Sequence, residues 1–371
     1  MIQDVLLKLI VLLLPTQLGL HFWPGFSRVS GLKIDYLSPT LYFLDILIIF
    51  YLLKNAKLLL DKLKKLKTFP FVLLISLNLL FSQNQANTAF QYLRLLEYFL
   101  LYLVLVDVPN LWKKIGSTFF LSLCFVFALQ TAQFFKQSSL NGIFYYLGER
   151  YFTASTPNIP RIVIINKELL RVFSTFSHAN SLAGFMLLSA LILKIKKSDK
   201  KVLLPLFSII ISFSKSALFG VLFIFSQKKH FKVILVGSVL FSFGILFPNL
   251  PKTGNLSLDS RTEMIKNYRQ IPPKLFISGV GLGNYPVLVS SLLPGSMQTI
   301  SSLQPIHNIF LLLLIELGAP LFIFLIYVLF KNTSPKYYPI FSIVIVTGLF
   351  DHYWVTLPQN KLILILALAL A

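Results

Sequence analysis

The residues of this chain best suited to chemistry are an arginine pair and a histidine in its second half. Arg261 and Arg269 lie in the string Asp259-Ser-Arg-Thr-Glu-Met-Ile-Lys-Asn-Tyr-Arg269, and His307 lies in Gln304-Pro-Ile-His-Asn-Ile-Phe-Leu. A guanidinium is a planar fork that pairs bidentately with phosphate or carboxylate, so the Arg pair points to an anion. A histidine entering a helix after a proline can serve as a general base, or simply hydrogen-bond a loop carbonyl. At helical spacing Met264, Ile265 and Tyr268 share an apolar face, with Asp259 or Ser260 as the N-cap. Arg261 is then expected in the first turn and Arg269 about two turns on, before Pro272 and Pro273 end the helix; a helix lying on lipid is the plainer alternative. Gly279-Val-Gly-Leu-Gly283 reads as a glycine-spaced turn, without the strand and helix that make such a string a phosphate loop.

Three further polar residues stand in apolar surroundings. His178 and Asn180, within Phe176-Ser-His-Ala-Asn-Ser-Leu-Ala-Gly184, read as hydrogen-bonding residues at a close helix contact. Lys215, in Ser212-Phe-Ser-Lys-Ser216, is expected deep in an apolar hairpin, where an ionisable residue is a functional candidate by default. No His-x-x-x-His pair or carboxylate cluster signals a metal, and no cofactor is expected. The one cysteine, Cys124, allows neither a disulfide framework nor a thiolate site.

These residues must be positioned by apolar helices. The chain has 371 residues, 56% hydrophobic and 13% charged, against roughly one-quarter charged in soluble domains. It reads as an all-α polytopic membrane protein. The apolar stretch Val5 to Leu14 lacks a small-residue cleavage site and is expected to stay as a first helix. The net charge of +21 sits in short Lys-rich loops rather than on an aromatic-interleaved basic surface, so nucleic acid is not an expected partner. Those loops, at Lys54 to Lys67, Lys113 and Lys114, Lys194 to Lys201, Lys228 to Lys232, and Lys331 with Lys336, mark the cytoplasmic side. About twelve spans follow, with both termini cytoplasmic. They are expected near 4–20, 40–53, 69–83, 92–109, 115–135, 172–193, 202–213, 216–227, 232–248, 308–330, 338–356 and 360–371. The pair within 202–227 is short and is expected as half-length or tilted helices with an apex at Ser212, Ser214, Lys215 and Ser216.

Two extracytoplasmic segments are longer than turns, 135–171 and 247–306. Their aromatic residues, Phe144, Tyr145, Tyr151 and Tyr285 among them, favour ordered structure against the membrane. The second, a large loop at 249–306 between the ninth and tenth helices, is the expected catalytic loop. Every positive charge in the cytoplasmic loops is Lys, whereas Arg28, Arg94, Arg150, Arg161, Arg171, Arg261 and Arg269 are all expected in or beside outer segments. The outer face therefore reads as built to hold an anion.

Four strings together resemble the O-antigen ligase and O-antigen polymerase family of membrane glycosyltransferases. They are Arg171-Val-Phe-Ser-Thr-Phe-Ser-His-Ala-Asn-Ser-Leu-Ala-Gly184; Ser212-Phe-Ser-Lys-Ser-Ala217; Ser260-Arg-Thr-Glu-Met-Ile265 followed by Gly279-Val-Gly-Leu-Gly-Asn-Tyr285; and His307-Asn-Ile-Phe-Leu311 with Glu316-Leu-Gly318. The resemblance spans about 140–330. It implies metal-independent, inverting transfer of a glycan from an undecaprenyl-pyrophosphate carrier to an acceptor glycan or lipid, outside the plasma (inner) membrane, in lipopolysaccharide or other cell-envelope polysaccharide synthesis. By position it implies that Arg171 and Arg261 hold the pyrophosphate, with Lys215 and Arg269 as further anion contacts, and that His307 activates the acceptor hydroxyl. The family carries Arg where Lys215 stands, which keeps the charge and loses the bidentate geometry. The other function weighed is a transporter or flippase for lipid-linked sugars or other anions; it calls for related halves, and no repeat between the halves is visible.

Overall fold

The computed structural model describes residues 2–65, 69–157, 159–224, 230–248 and 256–371. Parts of the Lys-bearing loops and the start of the 249–306 segment lie outside them. The chain is mostly helical. Helices α1 (Ile2–Leu13), α2 (Phe43–Lys54), α3 (Ala56–Leu63), α4 (Phe69–Leu80), α5 (Gln85–Leu105) and α6 (Leu111–Lys136) form the first half. The short α7 (Ile143–Tyr146) follows, then α8 (Ala179–Ile195), α9 (Asp199–Ser212), α10 (Lys215–Ile224) and α11 (Phe231–Gly244). The remainder is α12 (Leu256–Arg269), α13 (Pro273–Ser278), α14 (Tyr285–Leu292), α15 (Ile309–Leu317), α16 (Ala319–Asn332), α17 (Tyr338–Gly348), α18 (Tyr353–Thr356) and α19 (Pro358–Leu370).

Each expected span has a helix in its place, but twelve full-length spans are not supported. Among the described residues two helices, α5 and α6, are long and apolar enough to cross a membrane. The others are cut short by local chemistry. The 308–330 stretch breaks at Gly318, whose φ of 77° is left-handed. The 338–356 stretch breaks after Gly348 and resumes as the single turn α18. The expected hairpin apex holds: α9 ends at Ser212 and α10 starts at Lys215, with Phe213 at a φ of 51° between them.

Three two-stranded antiparallel sheets were not foreseen. Strand β1 (Gly19–His21) pairs with β4 (Thr40–Tyr42), and between them β2 (Arg28–Val29) pairs with β3 (Leu32–Lys33). Strands β5 (Arg161–Ile164) and β6 (Lys167–Leu170) form a hairpin inside the 135–171 segment. The tight turns put successive residues at positive φ, Ser30 with Gly31 and Ile165 with Asn166, as two-residue hairpin loops require.

The apolar interior falls into two main clusters. The larger runs through the helical body around α8, whose Ala179–Leu193 stretch is buried throughout. The second joins Val29, Ile34 and Leu37 of the N-terminal segment to Met264, Tyr268, Tyr285, Leu288 and Leu311, forming a cap over one end of the body. Met264 and Tyr268 thus bury as expected, whereas Ile265, expected on the same face, stays half-buried outside the cluster. Arg94 departs from expectation: it lies inside α5, where it pairs with Asp45 of α2 at 2.6 Å and with Glu97 at 2.9 Å. Many large apolar side chains on the outer helix faces are exposed, including Phe50 and Leu53 of α2, Val72 and Leu80 of α4, Leu93 of α5, Leu222 of α10 and Leu240 of α11.

The glycine-spaced string joins cap and body. Val280 and Gly281 donate their amides to the carbonyls of Ile315 and Glu316, at 2.9 and 3.0 Å. Gly279 sits at a φ of 74°, and a Cβ there would lie 2.7 Å from backbone atoms of Glu316, Leu317 and Gly318. Gly279→Ala should therefore lower stability by about 1–3 kcal/mol or more, since backbone rather than a flexible side chain must yield. Thermal unfolding of the purified chain measures this, and an unchanged midpoint contradicts the packing described.

Candidate active site

At the junction of cap and body, five separate stretches of chain converge on Asp351. This carboxylate is buried, 4% exposed, in the break between α17 and α18. Its Oδ1 accepts the backbone N–H of His352 at 2.8 Å, and its Oδ2 accepts Nδ2 of Asn180 at 2.8 Å. The Oδ1 atom also lies 3.6 Å from Nδ1 of His307, beyond a hydrogen bond and within ion-pair range. That nitrogen is buried and has no hydrogen-bond partner, so the carboxylate is the group it faces.

Local sequence explains each placement. Asn308 caps α15, its Oδ1 accepting the amides of Phe310 and Leu311 at 3.0 and 3.1 Å. Its Nδ2 reaches Ser242 Oγ at 2.9 Å and the Leu349 carbonyl at 3.4 Å, which holds the preceding His307 against the 349–352 break. His178 is the N-cap of α8, and its Nδ1 accepts the Asn180 amide at 3.2 Å. Arg171 precedes α8 after the β5–β6 hairpin; its Nη2 donates to Asn180 Oδ1 at 2.7 Å and its Nε to the Ser212 carbonyl at 3.0 Å. Asn180 therefore bridges the guanidinium to the carboxylate, and the α9–α10 break reaches the site through a backbone oxygen. Arg261 comes from the cap, in the second turn of α12, and its charge acts on Arg171, His178 and His352. Tyr36 of the N-terminal segment stands edge-on to His352, ring centres 5.6 Å apart.

Electrostatics divide these groups by role. Burial pushes His178 down to about 4 and His352 to about 3, so both rings are neutral at physiological pH. Burial opposes ionisation of Asp351, but the nearby His307, His352 and His178 hold its carboxyl well below the usual range. Burial also lowers Arg171, to about 10, against the pull of Asp351, and it remains a cation. Arg171, Asp351 and the part-exposed His307 imidazole thus lie in one network, within the electrostatic reach of Arg261.

The expected residues fare differently. Arg171, Arg261 and His307 are brought together. Arg261 lies one turn deeper in its helix than expected, because α12 begins at Leu256 rather than after Asp259 or Ser260. Lys215 is not buried: it opens α10 with an exposed side chain, and Ser212 is the hairpin residue that contacts the site. Arg269 is exposed at the end of α12 and donates to the Pro248 carbonyl. His178 and Asn180, expected as hydrogen-bonding residues at a close helix contact, do hydrogen-bond there and also belong to the site. Asp351, His352 and Tyr36 were missed; Asp351-His352, adjacent polar residues inside an apolar stretch, carried the only available signal.

One metal-compatible set exists among the described residues. His307, Asp351 and His352 offer ligand atoms within 4.8 Å of one another, a two-histidine, one-carboxylate arrangement. The two rings, however, stack with centres 5.0 Å apart and planes 25° from parallel, which runs their in-plane lone pairs side by side instead of converging. Asp351 Oδ1 is moreover already engaged by the His352 amide. The geometry fits a carboxylate that orients an imidazole better than a shared ion.

The neutral, buried histidines make stability depend on acidity. Below about pH 6.5 the unfolded chain takes up protons at His178 and His352 that the folded chain refuses. Stability is then full above that value and falls as pH drops towards about 4 and about 3. Asp351 adds a loss only below about pH 4, where its unfolded form protonates. The unfolding midpoint should decline from about pH 7 to about pH 5, and His352→Gln should flatten that slope; a midpoint independent of pH contradicts the burial described.

Comparisons of the chain with protein-family models, with curated proteins and with solved structures find no match.

Proposed function

We propose that the chain is a multi-pass membrane glycosyltransferase that moves a glycan from an undecaprenyl-pyrophosphate carrier to an acceptor hydroxyl on the extracytoplasmic face. The observation that carries the reading is the meeting of Arg171 and Arg261 with the His307–Asp351 pair at one end of the helical body. The resemblance of the four strings to the O-antigen ligase and polymerase family supports the same chemistry.

Membrane residence is supported by the outer helix faces. Soluble monomers rarely expose contiguous apolar patches beyond a few hundred Å², and here apolar side chains project from α2, α4, α5, α10 and α11. The ends of the body also differ in charge. At the end opposite the cap, Lys114 pairs with Asp4 at 2.9 Å and Lys62 with Asp107 at 2.8 Å, joining the starts of α1 and α6 to α3 and the end of α5. A lysine-rich end matches a cytoplasmic face with both termini on it, and the cap then lies outside. On this reading the site stands at the outer ends of the helices, with the shorter helices crossing as broken or paired pieces.

Chemically, the acceptor oxygen attacks the anomeric carbon while the bond from that carbon to the pyrophosphate oxygen breaks, inverting the centre. The leaving pyrophosphate takes the bonding electrons. Arg171, whose Nη1 is left after its other nitrogens bind Asn180 and Ser212, and Arg261 hold the developing charge. His307 takes the hydroxyl proton on Nε2, because Nδ1 faces Asp351, and Asp351 steadies the imidazolium that forms.

Variants test this with purified protein and a lipid-linked oligosaccharide. His307→Ala should reduce transfer by about 10²–10⁴-fold, the usual scale of general-base assistance. Arg261→Ala should reduce it by at least about 10²-fold. Both should remain in the membrane fraction. Near-normal transfer by either variant defeats the assignment. Activity should also survive excess chelator; loss in chelator with recovery on adding Zn²⁺ would reassign His307, Asp351 and His352 to a metal.

A further inference from the structure

A polar groove lies in the cap, away from the Asp351 cluster. Its volume is about 550 Å³ and it is shallow and widely open to solvent, with Phe26, Arg28, Gln83, Asn84, Gln85 and Ser290 among its lining residues. That volume falls within the range of about 300–1,000 Å³ usual for ligand sites. The lining is mixed: three carboxamides in succession, the hydroxyls of Ser30 and Ser290, a guanidinium, one aromatic residue, and the apolar Val29 and Val287. Carboxamides and hydroxyls match the alternating donors and acceptors of sugar hydroxyls, and an aromatic ring suits the apolar face of a pyranose.

The walls are fixed by the fold. Asn84 caps α5, accepting the Asn87 amide at 3.1 Å, and its Nδ2 donates to the Phe26 carbonyl at 3.0 Å, which ties the N-terminal segment to α5. The Gln83 amide is anchored on the Val280 carbonyl at 3.0 Å. Val29 packs into the cap cluster beside Leu288 of α14, so the opposite wall is equally held. Arg28 lies in strand β2 with an exposed side chain, and no carboxylate among the described residues forms an ion pair with it. The same segment carries Tyr36 to the Asp351 cluster, and the start of α5 places the groove on the cap side of the body.

We infer that this groove is a glycan subsite that takes a sugar bearing a carboxylate, with Arg28 pairing the acid and the Gln83 carboxamide and the Gln85 Oε1 holding ring hydroxyls, while Asn84 and the Gln85 Nε2 are held by the fold. It deepens the transferase reading by naming a substrate class: glycans containing uronic or other acidic sugars, gripped away from the bond that reacts.

Binding of soluble oligosaccharides to the full chain in detergent tests this without turnover. Trigalacturonate should bind more tightly than maltotriose, and Arg28→Ala should weaken trigalacturonate about tenfold or more while leaving the unfolding midpoint unchanged. Ser290→Trp, which fills the groove from the facing wall, should weaken both sugars. His307→Ala should bind trigalacturonate as the unaltered chain does. Absence of trigalacturonate binding, equal affinity for maltotriose, indifference to Arg28→Ala, or displacement by equimolar inorganic phosphate each overturns the subsite. Because binding is read separately from transfer, a failed subsite with active transfer leaves the enzyme reading standing, and an Arg28-dependent subsite in a chain without transfer activity leaves only the subsite.

Discussion

Burying the Asp351 carboxylate without compensation would cost several kcal/mol, and the structure answers that cost with groups drawn from distant parts of the chain. Asn180 reaches it from the start of α8, the His352 amide from its own break, and His307 from the entry to α15. Through Asn180 the same charge is coupled to Arg171, and through Arg171 to the Ser212 carbonyl in the α9–α10 break. Removing the carboxylate would leave a buried amide, an unpartnered imidazole nitrogen and a partly buried guanidinium without their common counter-charge. The irregular points of the fold, where helices stop in mid-stretch, are the points that supply this network.

Two apolar clusters keep those points in register. The body cluster immobilises α8 and α17, so their ends at Asn180 and Asp351 face each other. The cap cluster sets α12 and the N-terminal segment over them, delivering Arg261 and Tyr36. Between the clusters the glycine string interlocks with the α15–α16 break: a Cβ on Gly318 would come within 2.7 Å of Gly279 N, as one on Gly279 would of Gly318 N. Positive φ at both residues allows backbones to approach where side chains would keep them apart. Cap and body are thus joined by direct backbone contact.

Much of this was readable from residue types and spacing. The apolar stretches gave the helix positions, and the serine-rich apex of the short hairpin gave its break. The face shared by Met264 and Tyr268 placed Arg261 on an ordered helix. Charge asymmetry between Lys and Arg pointed to Arg171 and Arg261. It failed for Arg94, because a linear sequence does not reveal that Asp45 and Glu97 stand beside it inside the bundle. Lys215 misled for the opposite reason: apolar neighbours in sequence suggested depth, while the first turn of α10 turns its side chain outward. Asp351 and His352 lay hidden within a stretch read as one continuous span. The break that frees them follows Gly348, where a Cβ would strike Ile309 at 2.4 Å, a tertiary contact that no local pattern announces. Strands β1 to β4 are too brief for a period-two pattern to register, and β5 and β6, Arg-Ile-Val-Ile and Lys-Glu-Leu-Leu, do not alternate.

The proposed function requires two arginines, set beside a carboxylate-facing histidine, to hold a lipid pyrophosphate at the outer ends of the helices. Its most direct test is the affinity of the chain, in lipid nanodiscs, for undecaprenyl pyrophosphate. Binding should be saturable, weakened about tenfold or more by Arg171→Ala and by Arg261→Ala and left nearly unchanged by His307→Ala, if, as proposed, the histidine serves the acceptor and the arginines the leaving group. Binding that is absent, or indifferent to both arginine substitutions, contradicts it.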